Sequence, residues 1–164
     1  MNIFYLDKSP IVSAQAMTNK HIVKMILESA QLLCTAHHIL DEDLSPFRDK
    51  LYKPTHKNHP SAIWVRESYK NYEWLYKHFV ALCDEYTNRY HRVHMTETKL
   101  KDILYHLPLN IPLCEATPVR LAITDTSHHS ADPVKAYRSY YEAEKLKVPQ
   151  DIKRYYNIIR GEQC

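Results

Sequence analysis

Apolar residues recur every three or four positions along most of this chain, and no window alternates apolar and polar for more than a few residues. The pattern predicts an all-α fold. A short segment, residues 11–17, precedes a long amphipathic stretch, NKHIVKMILESAQLLCTAHH, which Thr18 or Asn19 would cap and which should end near Asp41. The following DEDLSPFRDKLYKPTHKNH carries two prolines and alternating charges and reads as a loop of about twenty residues, a length that is often functional. Pro60 suits a first helical turn and opens either one very long helix or two joined near Ser68, two being closer to usual lengths. Thr96 and Glu97 begin a short helix through His106, and PLNIPLCEATP is extended and punctuated by proline. Asp132 then Pro133 caps and opens VKAYRSYYEAEKLK, and Pro149 opens the last helix. With no repeat, low-complexity segment or linker, residues 1–164 read as one helical domain.

The long helix has an unusual polar row. At about 100° per residue, His21, Lys24, Glu28, Gln31, Thr35 and His38 share one side, while Ile22, Val23, Met25, Ile26, Leu27, Leu32 and Leu33 take most other directions. Such a helix belongs at the centre of the fold, with one side open to a polar cleft. A solvated face is the bland alternative, but that usually consists of Lys and Glu pairs, whereas this row mixes one lysine and one glutamate with two histidines. Burial raises the pKa of a carboxylate and a neighbouring lysine or protonated histidine lowers it again, which is how a glutamate becomes a usable acid or base.

Composition narrows the chemistry. The single glycine, Gly161, excludes every Gly-rich phosphate loop, so nucleotide binding by a P-loop or Rossmann turn is out. Four cysteines without a CxxC, and an N-terminus without a signal peptide, predict reduced thiols and a cytoplasmic protein; no apolar run approaches a membrane span. A net charge of +3 permits a polyanionic partner without demanding one, so nucleic-acid binding would have to rest on a local patch.

Two further clusters are candidates. YKPTHKNHPSAIWVRES gathers His56, Lys57, Asn58, His59, Trp64 and Arg66 at a loop-to-helix junction, where free amides and the helix dipole suit a phosphate; the plainer role for His59 is to cap the helix that Pro60 begins. His56 with His59, and His91 with His94, have metal-like spacing, but no HExxH, paired CxxC or carboxylate set accompanies them, and no metal or other cofactor is expected. Near the C-terminus Tyr137, Arg138, Tyr140 and Tyr141 interleave aromatics and a cation, either to stack bases and hold phosphate or to pack on the core.

Together the H-x6-E helix, NHPSAIW, ALCDEY-x-NRY and AYRSYY resemble the phage-type pyrimidine-dimer DNA glycosylases, the endonuclease V family, and more closely their bacterial and phage relatives with an NHP-x-x-x-W pattern. The resemblance implies a compact single-domain helical fold around a central long helix. It also implies a glycosylase and AP-lyase chemistry on DNA, in which the N-terminal α-amine attacks the sugar C1′ of a damaged or modified nucleotide, forms an imine, and β-elimination cuts the strand. It places the assisting glutamate at Glu28, with His21 on the same helix, and Tyr137, Tyr140 and Tyr141 in the aromatic tail. Gln31 falls where those enzymes have a phosphate-handling arginine. The second residue is Asn2, larger than those that permit removal of an initiator methionine, so the amine expected here is that of Met1; at a pKa of about 8 it can supply the neutral nucleophile.

The residues expected to do chemistry are therefore Glu28, His21, Met1 and Asn2. Those expected to hold substrate or phosphate are Lys24, Gln31, His56, Lys57, Asn58, His59, Trp64, Arg66, Tyr137, Arg138 and Tyr141. The missing arginine at Gln31 and the modest charge keep a second reading open, a phage-type protein that binds or degrades a small nucleotide in the same cleft. A third is a helical interaction protein whose polar row meets a partner.

Overall fold

The computed structural model describes residues 1–161, so Cys164 lies outside the described residues. Seven α-helices make up the fold, and no strand occurs among the described residues. Residues 1–9 form an irregular segment leading into α1 (Pro10–Gln15), followed by the long α2 (Asn19–Leu40), α3 (Pro60–Glu67) and α4 (Tyr69–Tyr90). After these come α5 (Met95–Leu104), α6 (Pro133–Glu144) and α7 (Pro149–Arg160).

Each boundary has a local cause. The Thr18 side chain accepts from His21 N at the start of α2, a cap worth about 1 kcal/mol. Ser68 is extended and its hydroxyl accepts from Lys70 N, so the helical sequence after Pro60 divides into α3 and α4 at that residue. Asp132 caps α6 ahead of Pro133, and Gly161, at φ +69°, ends α7 in the left-handed conformation that costs glycine nothing.

α2 is the hub, packed against α3, α4 and α5 through a core that includes Ile22, Ile26, Leu33, Tyr72, Phe79 and Leu100. Its enclosure is incomplete, because Val23 and Leu27, expected to face the core, are exposed. Arg89 of α4 locks the turn between α1 and α2 by donating to the carbonyls of Gln15 and Met17 and to Asn19 Oδ1, at 2.8–3.1 Å. Residues 105–132 hold only one short 3₁₀ turn and lie along α3 and α4. Tyr69 N donates to Pro112 O, Ser68 Oγ to Cys114 O, and Asn71 bonds Thr117 through both ends of its amide. This strap brings residues 121–124 to the N-terminal end of α2. No helix among the described residues is long and apolar enough to cross a membrane.

Candidate active site

The N-terminal segment reverses direction at Phe4, which takes a left-handed φ of 48°. Such a conformation is uncommon for a bulky residue and needs compensation from its surroundings. The Asn2 side chain supplies it, accepting from Ile3 N and Phe4 N at 2.8 and 2.9 Å, while Phe4 O accepts from Leu6 N and from the Ser13 hydroxyl. The reversal lays the Phe4 ring on His21, 4.6 Å between centroids, and turns the backbone N–H of Asn2 onto Glu28 Oε2 at 3.0 Å. Asn2 Nδ2 donates to Ala122 O, tying the segment to the end of the strap.

Beside this junction lies a cavity of about 490 Å³. Its floor is Met1, Asn2, His21, Lys24, Glu28 and His59, and the facing wall comes from residues 121–124, Tyr140 and Lys145. Glu28 is only 8% exposed, and its other oxygen, Oε1, pairs with Lys24 Nζ at 3.2 Å. Burial makes an unpaired carboxylate costly, so the backbone N–H and the ammonium are what hold this one facing the cavity. Lys24, Lys145 and the Met1 amine are the cationic groups along the walls, an environment suited to an anionic ligand.

His21 behaves differently from the expectation that a charged histidine would tune Glu28. Burial, reinforced by Lys145 and Lys24, pushes its pKa down to about 4, so the ring is neutral at neutral pH. Its Nδ1 lies 2.7 Å from the Tyr141 hydroxyl, which already accepts from Thr18 N. The network is best satisfied if Tyr141 donates to Nδ1, which puts the imidazole proton on Nε2. Burial pushes the Tyr141 phenol up to about 12, keeping that donor protonated. His59 caps α3 by accepting from Ser61 N and also lines the cavity; burial, with the N-terminal charge adding to it, holds its pKa below the ordinary histidine value.

The other candidate residues go elsewhere. Tyr137 and Tyr141 are fully buried, the Tyr137 hydroxyl accepting from Ala122 N, so they support the wall from behind. Tyr140 alone of the three reaches the cavity. Arg138 donates to Leu6 O and Asp7 Oδ2 and holds the N-terminal segment. Trp64 is buried, with Nε1 on Thr117 O. His56 is exposed against its neighbour Thr55. Lys57, Asn58 and Arg66 line a second cavity of about 470 Å³, together with Arg48 and His38. The polar row of α2 therefore runs between two cavities: His21, Lys24 and Glu28 face the first, Gln31 is half-buried between them, Thr35 is closed off by Thr55, and His38 faces the second. Among the described residues no three histidine, cysteine or acidic side chains are grouped to hold a metal ion.

The profile of one protein family, pyrimidine dimer DNA glycosylase, matches residues 1–98. The chain belongs to that family. No curated protein and no solved structure matches it. Membership of a pyrimidine dimer DNA glycosylase family implies DNA as the partner and a glycosylase class of activity. The matched residues contain the whole cavity floor, and the wall from residues 121–124, Tyr140 and Lys145 lies beyond the match. Lys145 and residues 121–124 carried no signal in the sequence, since each stands more than ninety positions from Glu28 and no motif includes them.

Proposed function

We propose that this protein cleaves the N-glycosidic bond of a damaged or modified nucleotide in DNA, with the nucleotide turned out of the stack into the cavity beside Glu28. The observation that carries the reading is the buried carboxylate of Glu28, held on one side by Asn2 N and on the other by Lys24 while facing a nucleotide-sized space. As the glycosidic bond weakens, positive charge develops at the sugar ring, and a carboxylate fixed beside it stabilises that charge more than it stabilises the neutral ground state. Lys24 and Lys145 take the flanking phosphate, and the neutral His21 serves as a hydrogen-bond donor through Nε2.

For the lyase step a neutral amine bonds to C1′ as the C1′–N bond breaks and the base leaves with a proton; ring opening gives an imine, and loss of a 2′ proton expels the 3′ phosphate. Met1 is among the residues that line the cavity, and Asn2 N, an amide while Met1 precedes it, lies 3.0 Å from Glu28 Oε2. Either an amine on Met1 or one exposed at Asn2 would meet the sugar beside that carboxylate.

The test is incubation with ultraviolet-damaged, deaminated and hypermodified DNA, followed by borohydride to trap any imine and intact mass measurement to assign the amine. Strand cleavage and a trapped adduct, both lost in Glu28→Gln, are expected. No cleavage and no adduct on any substrate, with a thermal shift from a mononucleotide or cyclic dinucleotide instead, would assign the cavity to a free nucleotide.

A further inference from the structure

The second cavity sits at the other end of the same helix row, and nothing in the chemistry at Glu28 requires it. His38 is ten residues along α2 from Glu28, roughly 15 Å at 1.5 Å per residue. Three cationic side chains line this cavity, Arg48, Lys57 and Arg66, with the amide of Asn58 and one carboxylate, Glu42. Arg66 is the fixed member: its Nη1 donates to both Lys57 O and Ala62 O, at 2.7 and 3.0 Å, so the guanidinium is oriented before any ligand arrives. Burial lowers its pKa from a value high enough that it stays charged. Arg48 is held by Glu42 O at 2.6 Å and paired with Asp43 at 2.8 Å. Asp43 is 89% exposed, so that pair is weak and exchangeable for another anion.

What the cavity lacks selects among anions. Among the described residues no Phe, Tyr or Trp lines it, and the one aromatic ring there, His38, is tied by Nε2 to Tyr52 O. Three cations and an amide without a Phe, Tyr or Trp platform suit a sugar-phosphate backbone better than a free nucleotide. Resting on the function proposed above, we infer that the Arg48–Lys57–Arg66 cavity is a distal phosphate subsite that grips the DNA backbone about 15 Å from the reacting nucleotide. At 3.4 Å per base pair this is about four base pairs along the duplex. Such a contact carries no sequence information and sets register, holding the duplex so that one nucleotide faces Glu28. It also supplies a cationic contact on a surface where Gln31 contributes none.

The experiment measures equilibrium binding to duplexes bearing one reactive nucleotide, with the arm on each side shortened independently from ten base pairs to two. Wild type is expected to lose roughly tenfold in affinity when one particular arm falls below about four base pairs, and not when the other does. In Arg48→Ala/Lys57→Ala, with folding checked by thermal denaturation, that step disappears: long-arm duplexes bind roughly tenfold more weakly, short-arm duplexes bind as to wild type, and the slope of log affinity against log salt becomes shallower by about 1. Glu42→Gln removes the one carboxylate and should strengthen long-arm binding, which a purely structural role would not produce. A step that persists in the double variant, or an equal loss for long and short arms, overturns the subsite while leaving DNA as the substrate. Failure of every duplex to bind wild type overturns the subsite and the proposed function together.

Discussion

Two buried carboxylates belong to α2, Glu28 about midway along it and Asp41 at its C-terminal cap, and they differ in what completes them. Asp41, just past the last turn, is 1% exposed and accepts from Leu109 N and Asn110 N at 3.0 Å each. His37 lies behind it with Nδ1 at 3.5 Å, too far for a good hydrogen bond, and Nε2 on the Tyr72 hydroxyl. Every direction around Asp41 is filled by protein. Glu28 is buried almost as deeply but is held only on its flanks, and its remaining side is the cavity. Under the proposed function, the unfilled side and not burial is what sets Glu28 apart from the structural Asp41.

The largest expected effects come from exchanging each acid for its amide. Glu28→Gln keeps an oxygen for Asn2 N and should fold normally while losing roughly 10²–10⁴-fold in turnover, read by single-turnover cleavage. Asp41→Asn should do the reverse, retaining turnover per folded molecule while losing about 1–3 kcal/mol of stability in denaturant titration, because an amide cannot accept both backbone N–H groups as the carboxylate does. Loss of turnover in Asp41→Asn at full stability would erase the distinction.

The same contrast separates two histidines and predicts a smaller effect. Burial lowers both His21, at the cavity edge, and His78, fully buried with Nδ1 on Pro10 O, to about 4. Their unfolded-state pKa is about 6.5, so below that value the unfolded chain binds protons that the folded chain refuses. The histidine contribution to stability should therefore fall as pH drops from about 6.5 towards 4 and level off below, measured as the difference in melting temperature against pH between wild type and the variants below. His78→Gln should flatten that fall more than His21→Gln, since solvent reaches His21. Equal flattening would mean the cavity edge is as dry as the core.

What the sequence discloses divides along the same line between local and distant. The ends of α2, the break at Ser68 and the starts of α6 and α7 were legible because each depends on a cap or a proline within a few residues. The polar row was legible for the same reason, as helical spacing places Lys24 beside Glu28. Spacing cannot say which way the C-terminal tyrosines turn, and α6 sends Tyr137 and Tyr141 inward and leaves Tyr140 at the cavity. Nor could it divide NHPSAIWVRES, where His59 faces one cavity while Lys57, Asn58 and Arg66 face the other. The charge state of His21 depended on its burial and on Lys145, a residue far along the chain that no local pattern links to it.

The smallest expected effect concerns the gap between the cavities. Gln31→Arg places a cation between the Glu28 cavity and the Arg48–Lys57–Arg66 cavity, and should steepen the salt dependence of DNA affinity by about 0.9. An unchanged slope would mean that the backbone does not pass over that turn of α2.

The bond from Asn2 Nδ2 to Ala122 O also bears on when the cavity closes. It joins residues 120 positions apart, so the entropy of closing a very long loop opposes it until most of the chain is present. During synthesis α2 and Glu28 leave the ribosome early, but the cavity wall waits for residues 121–145. Until that segment has been made and has docked, Glu28 fronts an open groove, and the cavity exists only once residues 121–145 have closed over it.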